Sequence, residues 1–153
     1  MRITTLEMPT NAYDNVFQSV GTKYGLDWRL LKAIAWHESG VDPSQVDLSD
    51  PSIGMMQVLC SGYPEAPTCT NKFYINNWPP SSSADLFDPT TNVDYAAQIL
   101  SANLSRYGFP KGIAVYNDWG SRDAPTNGPF HNQAYVEDVL SKFNALKQAQ
   151  PIP

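Results

Sequence analysis

The sequence is poor in the residues that build metal and nucleic-acid sites. Of its 153 residues only two are cysteines and two histidines, His37 and His131, so we expect no zinc site and no histidine-based metal cluster. We also expect no cofactor. Lys and Arg form no run and the formal net charge is −5, which argues against nucleic-acid binding and against strong attraction to an anionic cell envelope.

Long apolar segments are also missing. The chain has no 18-residue apolar run, so we expect no membrane span, and its N-terminus has no apolar core typical of a secretory signal peptide. The length suits one domain, and an apolar content of 42% is typical of globular chains. We therefore expect a monomer, with a loose arm over residues 1–10 and one domain over 11–150.

The two cysteines, Cys60 and Cys69, lie in a proline-rich stretch. A disulfide in an oxidising compartment and two free thiols are both open at this point. Residues 60–83 have the composition of an irregular insertion. Its aromatic residues, Tyr63 and Trp78 among them, either stack on sugar rings or pack the insertion onto the domain.

Apolar residues recur at helical spacing over most of the remaining chain. Asn11 is a candidate cap for the first helix, Asp27 for the second, and Thr91 or Asn92 for the third. We predict a mainly α domain, with a loop over 41–53 and at most a small β element within 41–85. The predicted helices cover about 12–24, 28–38, 93–107, 113–119 and 132–147, with a shorter one over 54–59.

Glu38 ends the second predicted helix, just before Ser39 and Gly40. It shares a helix face with the apolar residues Leu31, Ile34 and Ala35. Burial and the negative end of the helix dipole both disfavour the charged carboxylate, so the position predicts a raised pKa. Glycosidases need such an acid to protonate a leaving oxygen. The plain alternative is a solvated Glu at a helix end.

Four sequence blocks, in order, resemble the catalytic domain of soluble lytic transglycosylases, which share a fold with goose-type lysozymes. The blocks span most of the chain. They are Glu38-Ser39 with Pro43, Gly54-Met55-Met56-Gln57, Leu86-Phe87-Asp88-Pro89 through Asn92-Val93, and Ala114-Val115-Tyr116-Asn117 followed by Tyr135-Val136. The resemblance implies a compact, lysozyme-like α+β fold with a substrate cleft.

The resemblance also implies roles for single residues. Glu38 would be the only catalytic acid and base, and Ser39 would help fix the loop that follows it. The remaining matched residues would line the cleft or contact the substrate, with Tyr135 hydrogen-bonding near the Glu38 carboxyl; they are Met56, Gln57, Tyr116, Asn117 and Tyr135. The family's substrate is the glycan strand of peptidoglycan.

The implied reaction cuts the β-1,4 bond between N-acetylmuramic acid and N-acetylglucosamine and leaves a 1,6-anhydromuramic product. The sequence departs from the family at two places. Asp47 stands where the family usually has a Ser, and Asp118-Trp119-Gly120 stands where the family has a Gly soon after the Tyr-Asn pair. Asp47 and Asp50 are spare carboxylates, so a muramidase that activates water remains an alternative. A non-catalytic glycan-binding or structural module is a second one.

The expected place of action is outside the cytoplasm, on the cell wall. Periplasmic, extracellular and virion-associated settings all agree with the resemblance, and it does not separate a phage protein from a bacterial one.

Overall fold

A computed structural model describes residues 7–47, 52–59 and 86–152 of the protein. Asp50, the proposed pairing of Cys60 with Cys69, and the insertion over 60–83 lie outside the described residues. The domain boundaries over 1–10 and 11–150 stay a prediction.

The described residues form a mainly helical domain with a small antiparallel sheet, as predicted, in agreement with a lysozyme-like α+β fold. The sheet has the order β1-β2-β3, and Val46 pairs with Ile53, which in turn pairs with Val58. The elements are α1 (Asp14–Tyr24), α2 (Trp28–Ser39), β1 (Val46–Asp47), β2 (Ser52–Ile53), β3 (Val58–Leu59), α3 (Pro89–Tyr107), α4 (Lys111–Asn117), a 3-10 helix (Trp119–Asp123) and α5 (Gln133–Ala149).

Helix α2 packs on α1 and on α5, while α3 packs on α1 and α4. Its predicted apolar face is confirmed: Leu31, Ile34 and Ala35 are fully buried. The caps of α2 are also as predicted. The Asp27 carboxylate accepts the Arg29 N–H at 3.0 Å, and Gly40 ends the helix in the left-handed conformation.

Two other predicted caps are wrong. Helix α1 begins after Tyr13, and the Asn11 side chain instead accepts a hydrogen bond from the Lys32 ammonium. Helix α3 is capped by Asp88, whose carboxylate accepts the Thr91 N–H at 2.9 Å, and Pro89 occupies its first turn. Asn92 is therefore free for a different task, described below.

The predicted helix over 54–59 is also wrong. Residues 54–57 form a turn between β2 and β3, with Gly54 at φ +80°. In this segment the Met56 N–H donates to the Asn92 side chain of α3, and Val58 pairs with Ile53 in the sheet. Helix α4 covers 111–117 rather than 113–119, and a 3-10 helix follows it. In the described ranges no helix is long and apolar enough to cross a membrane.

Candidate active site

The last turn of α2 carries Glu38 and leaves it half-buried. The chain then turns sharply, since Gly40 and Val41 both adopt positive φ, at +68° and +61°. A β-branched residue in this conformation is strained, at a cost of about 1–3 kcal/mol. Val41 is nevertheless only 3% exposed, so core packing stabilises the turn and fixes the direction of the chain after Glu38.

Ser39 ties the end of α2 to the turn over 54–57. Its hydroxyl lies 2.8 Å from the Met55 carbonyl and 3.2 Å from the Ala35 carbonyl, and it accepts the Asp42 N–H at 3.0 Å. A hydroxyl has one proton to donate, and the shorter distance favours Met55. Ser39 is thus engaged with backbone groups around Glu38, which is the arrangement of a residue that fixes a loop.

Tyr135 of α5 lies directly against Glu38. Its hydroxyl donates a hydrogen bond to Glu38 Oε2 at 3.2 Å, and the residue is only 7% exposed. Burial raises the pKa of the Tyr135 hydroxyl well above its usual value, and negative charge on Glu38 raises it further. Tyr135 therefore keeps its proton at neutral pH and stays a hydrogen-bond donor to the Glu38 carboxyl.

The turn over 54–57 is held by Asn92, which is fully buried. The Asn92 amide donates to the carbonyls of Ile53 and Leu86 at 2.8 and 2.9 Å, and its oxygen accepts the Met56 N–H at 2.9 Å. A Cβ at Gly54 would lie 2.3 Å from Asn92 Nδ2, so only glycine fits there. The second and third sequence blocks meet at this contact.

The turn also contacts α4. The Tyr116 hydroxyl donates to the Met56 carbonyl at 2.8 Å, and the Met56 side chain is fully buried. Gln57 has φ +50°, and its side-chain amide donates to the carbonyls of Gly54 and Gln45 at 3.0 and 3.2 Å. The structure therefore brings the residues matched in the second and fourth blocks together around one turn.

Asn117 is exposed at the end of α4. Its side-chain oxygen accepts from Asn132 at 2.9 Å, and Asn132 also contacts the Ala114 carbonyl and the Ser121 hydroxyl at 2.9 Å. Asn132 immediately precedes α5, the helix that carries Tyr135. These contacts fix the end of α4 relative to Tyr135.

Asp47 lies on β1, where it is exposed and pairs in register with Ser52. Asp50, the other spare carboxylate, is outside the described residues. In residues 7–47, 52–59 and 86–152 no three His, Cys, Asp or Glu side chains form a group suited to a metal ion.

The structure also reveals neighbours that the sequence analysis did not identify. Next to Glu38, His37 contacts Asp138 of α5, its Nδ1 lying 2.5 Å from the carboxylate. Lys142 binds the same carboxylate at 2.8 Å. The sequence held one signal for this cluster: Tyr135 and Asp138 are three residues apart and therefore share a face of α5. Which helix that face meets is a property of the fold.

Comparison with protein-family models identifies a family for this chain. The model of the family described as the transglycosylase SLT domain matches residues 15–133, which include all the contacts described around Glu38 except those to Tyr135 and Asp138 in α5. No curated protein matches the chain.

Proposed function

The chain belongs to the transglycosylase SLT domain family of peptidoglycan-cleaving, lysozyme-like proteins, and on that premise we propose that it is a lytic transglycosylase with Glu38 as its acid and base. Peptidoglycan is the substrate that the family implies, and the cell wall is the place of action. The observation that carries the proposal is the hydrogen bond from the buried Tyr135 hydroxyl to the Glu38 carboxyl.

Glu38 is suited to the acid step by its surroundings. It lies at the C-terminal end of α2, where the helix dipole disfavours a negative charge, and it is partly withdrawn from water. Tyr135 donates to Oε2 of the carboxyl, so the orientation of the carboxyl group, and with it the position of its acidic proton, is constrained. In the proposed first step Glu38 gives this proton to the glycosidic oxygen, and the bond from C1 of muramic acid to that oxygen breaks.

In the proposed second step the same carboxylate acts as a base. It takes the proton of the C6 hydroxyl of the muramic residue while the C6 oxygen forms a bond to C1. The carboxyl is restored, the product is a 1,6-anhydro sugar, and no water is consumed. Tyr135 suits both steps, because a hydroxyl that remains protonated donates to the carboxylate formed between them.

The turn over 54–57 forms a wall of the proposed cleft. Its backbone is fixed from three sides, by Ser39 of α2, Asn92 of α3 and Tyr116 of α4. A rigid wall is what a glycosidase needs to hold a sugar in a strained ring form. We assign contacts with the substrate to Gln57, which is part of this wall and partly exposed, and to Asn117, the exposed residue that follows Tyr116 on α4.

A muramidase acting on the same bond is the second candidate, and the exposed carboxylate of Asp47 on β1 is the observation in its favour. The two mechanisms predict different responses to matched substitutions. In the transglycosylase, Glu38→Gln lowers the rate of release of soluble fragments from purified sacculi by about 10²–10⁴-fold, the typical contribution of general acid catalysis. Asp47→Asn, an equivalent change of carboxylate to amide, leaves the rate within about twofold, as a surface substitution does.

An Asp47→Asn loss as large as that of Glu38→Gln favours the muramidase instead. Unchanged lysis by a folded Glu38→Gln variant would mean that Glu38 is not the acid. No lysis by the wild-type protein, with binding to sacculi retained, would favour the non-catalytic module.

A further inference from the structure

Two consecutive residues of α2, His37 and Glu38, each contact α5. Glu38 accepts from Tyr135, and His37 contacts Asp138, which lies one helical turn further along the same face of α5. The two contacts are therefore parallel links between the same pair of helices.

The link between His37 and Asp138 holds the imidazole ring in one orientation. Partial burial alone would raise the pKa of Asp138, but hydrogen bonds from Lys142 and His37 bring the pKa of this carboxyl below its usual value. An ionised carboxylate only accepts hydrogen bonds, so the proton of this contact belongs to His37 Nδ1. Nδ1 can donate in this way both in the cationic imidazole and in the neutral tautomer that is protonated at Nδ1.

Asp138 is itself fixed from its other side. The Lys142 ammonium lies 2.8 Å from both of its oxygens and 5.1 Å from the centre of the Trp36 ring. The side chain of Lys142 is only 16% exposed, so it is packed between the carboxylate and the indole. His37 of α2 and Lys142 of α5 therefore both restrain the carboxylate.

The oriented His37 ring packs against Tyr135. Their ring centroids are 4.7 Å apart and the planes are nearly perpendicular, at 86°, which is a favourable edge-to-face geometry. The hydroxyl of Tyr135 lies 3.2 Å from Glu38 Oε2, which is longer than the roughly 2.5–3.0 Å usual for O–H···O hydrogen bonds. A small rotation of the Tyr135 ring would therefore break the contact with Glu38.

We propose that His37, held by Asp138, is a positioning residue that sets the angle of the Tyr135 ring and so directs its hydroxyl at the Glu38 carboxyl. The inference rests on the proposed function of Glu38. A purely structural His37 would link α2 to α5 and contribute to stability alone. The two possibilities differ in whether the effect of His37 on turnover requires the Tyr135 hydroxyl.

A double-mutant cycle measures this difference. His37→Ala, Tyr135→Phe and the double variant are assayed for kcat and KM on soluble glycan strands of alternating N-acetylglucosamine and N-acetylmuramic acid, and for Tm. We expect His37→Ala to lower kcat about tenfold, less than the roughly hundredfold cost of displacing a catalytic group by 1 Å, with KM within about twofold. In the Tyr135→Phe background the same change should lower kcat by less than about twofold, because no hydroxyl is left to position.

The Tm separates positioning from folding. Tyr135→Phe keeps the ring that His37 contacts, so His37→Ala should lower Tm by a similar amount in both backgrounds. His131→Ala is the matched control, since this histidine is 70% exposed and its acidic neighbour is Asp118 rather than a residue of α5. Its kcat should stay within about twofold of the wild type. If His37→Ala folds poorly, His37→Phe keeps a ring against Tyr135, loses the bond to Asp138, and is measured in the same cycle.

The inference is overturned if His37→Ala lowers kcat as much in the Tyr135→Phe background as it does in the wild type. It is also overturned if His37→Ala alone has wild-type kcat. Glu38→Gln is measured in parallel. If it is inactive, an additive cycle overturns only the role of His37, whereas an active Glu38→Gln overturns the proposed function itself.

Discussion

Lys32 and Glu38 are ionisable side chains six residues apart on α2, and their environments are opposite. Lys32 has no exposed side-chain surface, and its ammonium lies 2.6–2.9 Å from oxygens of Asn11, Asp14 and Gln150. Three acceptors match the three protons that an ammonium can donate. Glu38 lies at the end of the same helix, is half-buried, and keeps part of its surface at solvent.

The difference separates a charge that holds the fold from the carboxyl to which the proposed function assigns the chemistry. A buried ion is tolerated only when its hydrogen bonds are complete, and Lys32 joins α2 to Asn11, just before α1, and to Gln150, just after α5. A carboxyl that exchanges a proton with a substrate needs a face that the substrate can reach. Lys32 substitutions should therefore act on stability, and Glu38 substitutions on turnover.

The largest expected effect on stability comes from Lys32→Met. The substitution leaves the largely buried carboxylate of Asp14 without its cation, and loss of one partner from a buried pair costs about 3–5 kcal/mol. Urea unfolding measures this loss, and kcat of the folded fraction should stay near the wild-type value. Lys147→Met, the same change at an exposed lysine of α5, should alter the free energy of unfolding by less than about 0.5 kcal/mol. An equal loss in both variants would contradict the assignment of Lys32.

Asn92→Ala should have the next largest effect. It removes the partners of the buried Met56 N–H and of two carbonyls, and each orphaned polar group costs about 1–3 kcal/mol. It also loosens the turn over 54–57, so we expect activity to fall together with stability. Thermal unfolding and the sacculus assay, run on one preparation, check both. A variant of wild-type Tm would show that Asn92 does not hold this turn.

The smallest expected effect concerns Asp138 and pH. Its pKa in the folded protein lies below the ordinary value of 3.8, so its stabilising effect is present above pH 3.8 and disappears as pH falls through the folded value. The side chain is 39% exposed, which limits the effect to less than about 1 kcal/mol. The free energies of unfolding of the wild type and Asp138→Asn should therefore differ at pH 7, and the difference should shrink as the pH falls below 3.8. A difference that grows on acidification would contradict the assignment.

Local patterns in the sequence were enough to predict α2. The spacing of Leu31, Ile34 and Ala35 gave the buried face, while Asp27 and Gly40 gave the two ends. All of these signals act within one or two turns of helix, where backbone geometry alone determines which residues are neighbours.

Contacts between distant segments could not be predicted from local patterns. Asn92 resembled a helix cap, but it is buried as the hydrogen-bonding partner of a turn 36 residues earlier. The segment 54–59, which holds that turn, also supplies β3 rather than the predicted helix, because Val58 pairs with Ile53. His37 had no apparent role in the sequence, because its neighbours Tyr135 and Asp138 are about 100 residues away. The pairing of Tyr135 with Glu38 came from the family resemblance rather than from spacing.

The most direct test of the account asks where the oxygen on C1 of muramic acid comes from. Purified sacculi are digested by the wild-type protein in water enriched in heavy oxygen, and the soluble fragments are analysed by mass spectrometry. If Glu38 works as both acid and base on the substrate's own C6 hydroxyl, the fragments end in 1,6-anhydromuramic acid and carry no label. Fragments that end in reducing muramic acid with heavy oxygen on C1 would contradict it, because water would then be the nucleophile.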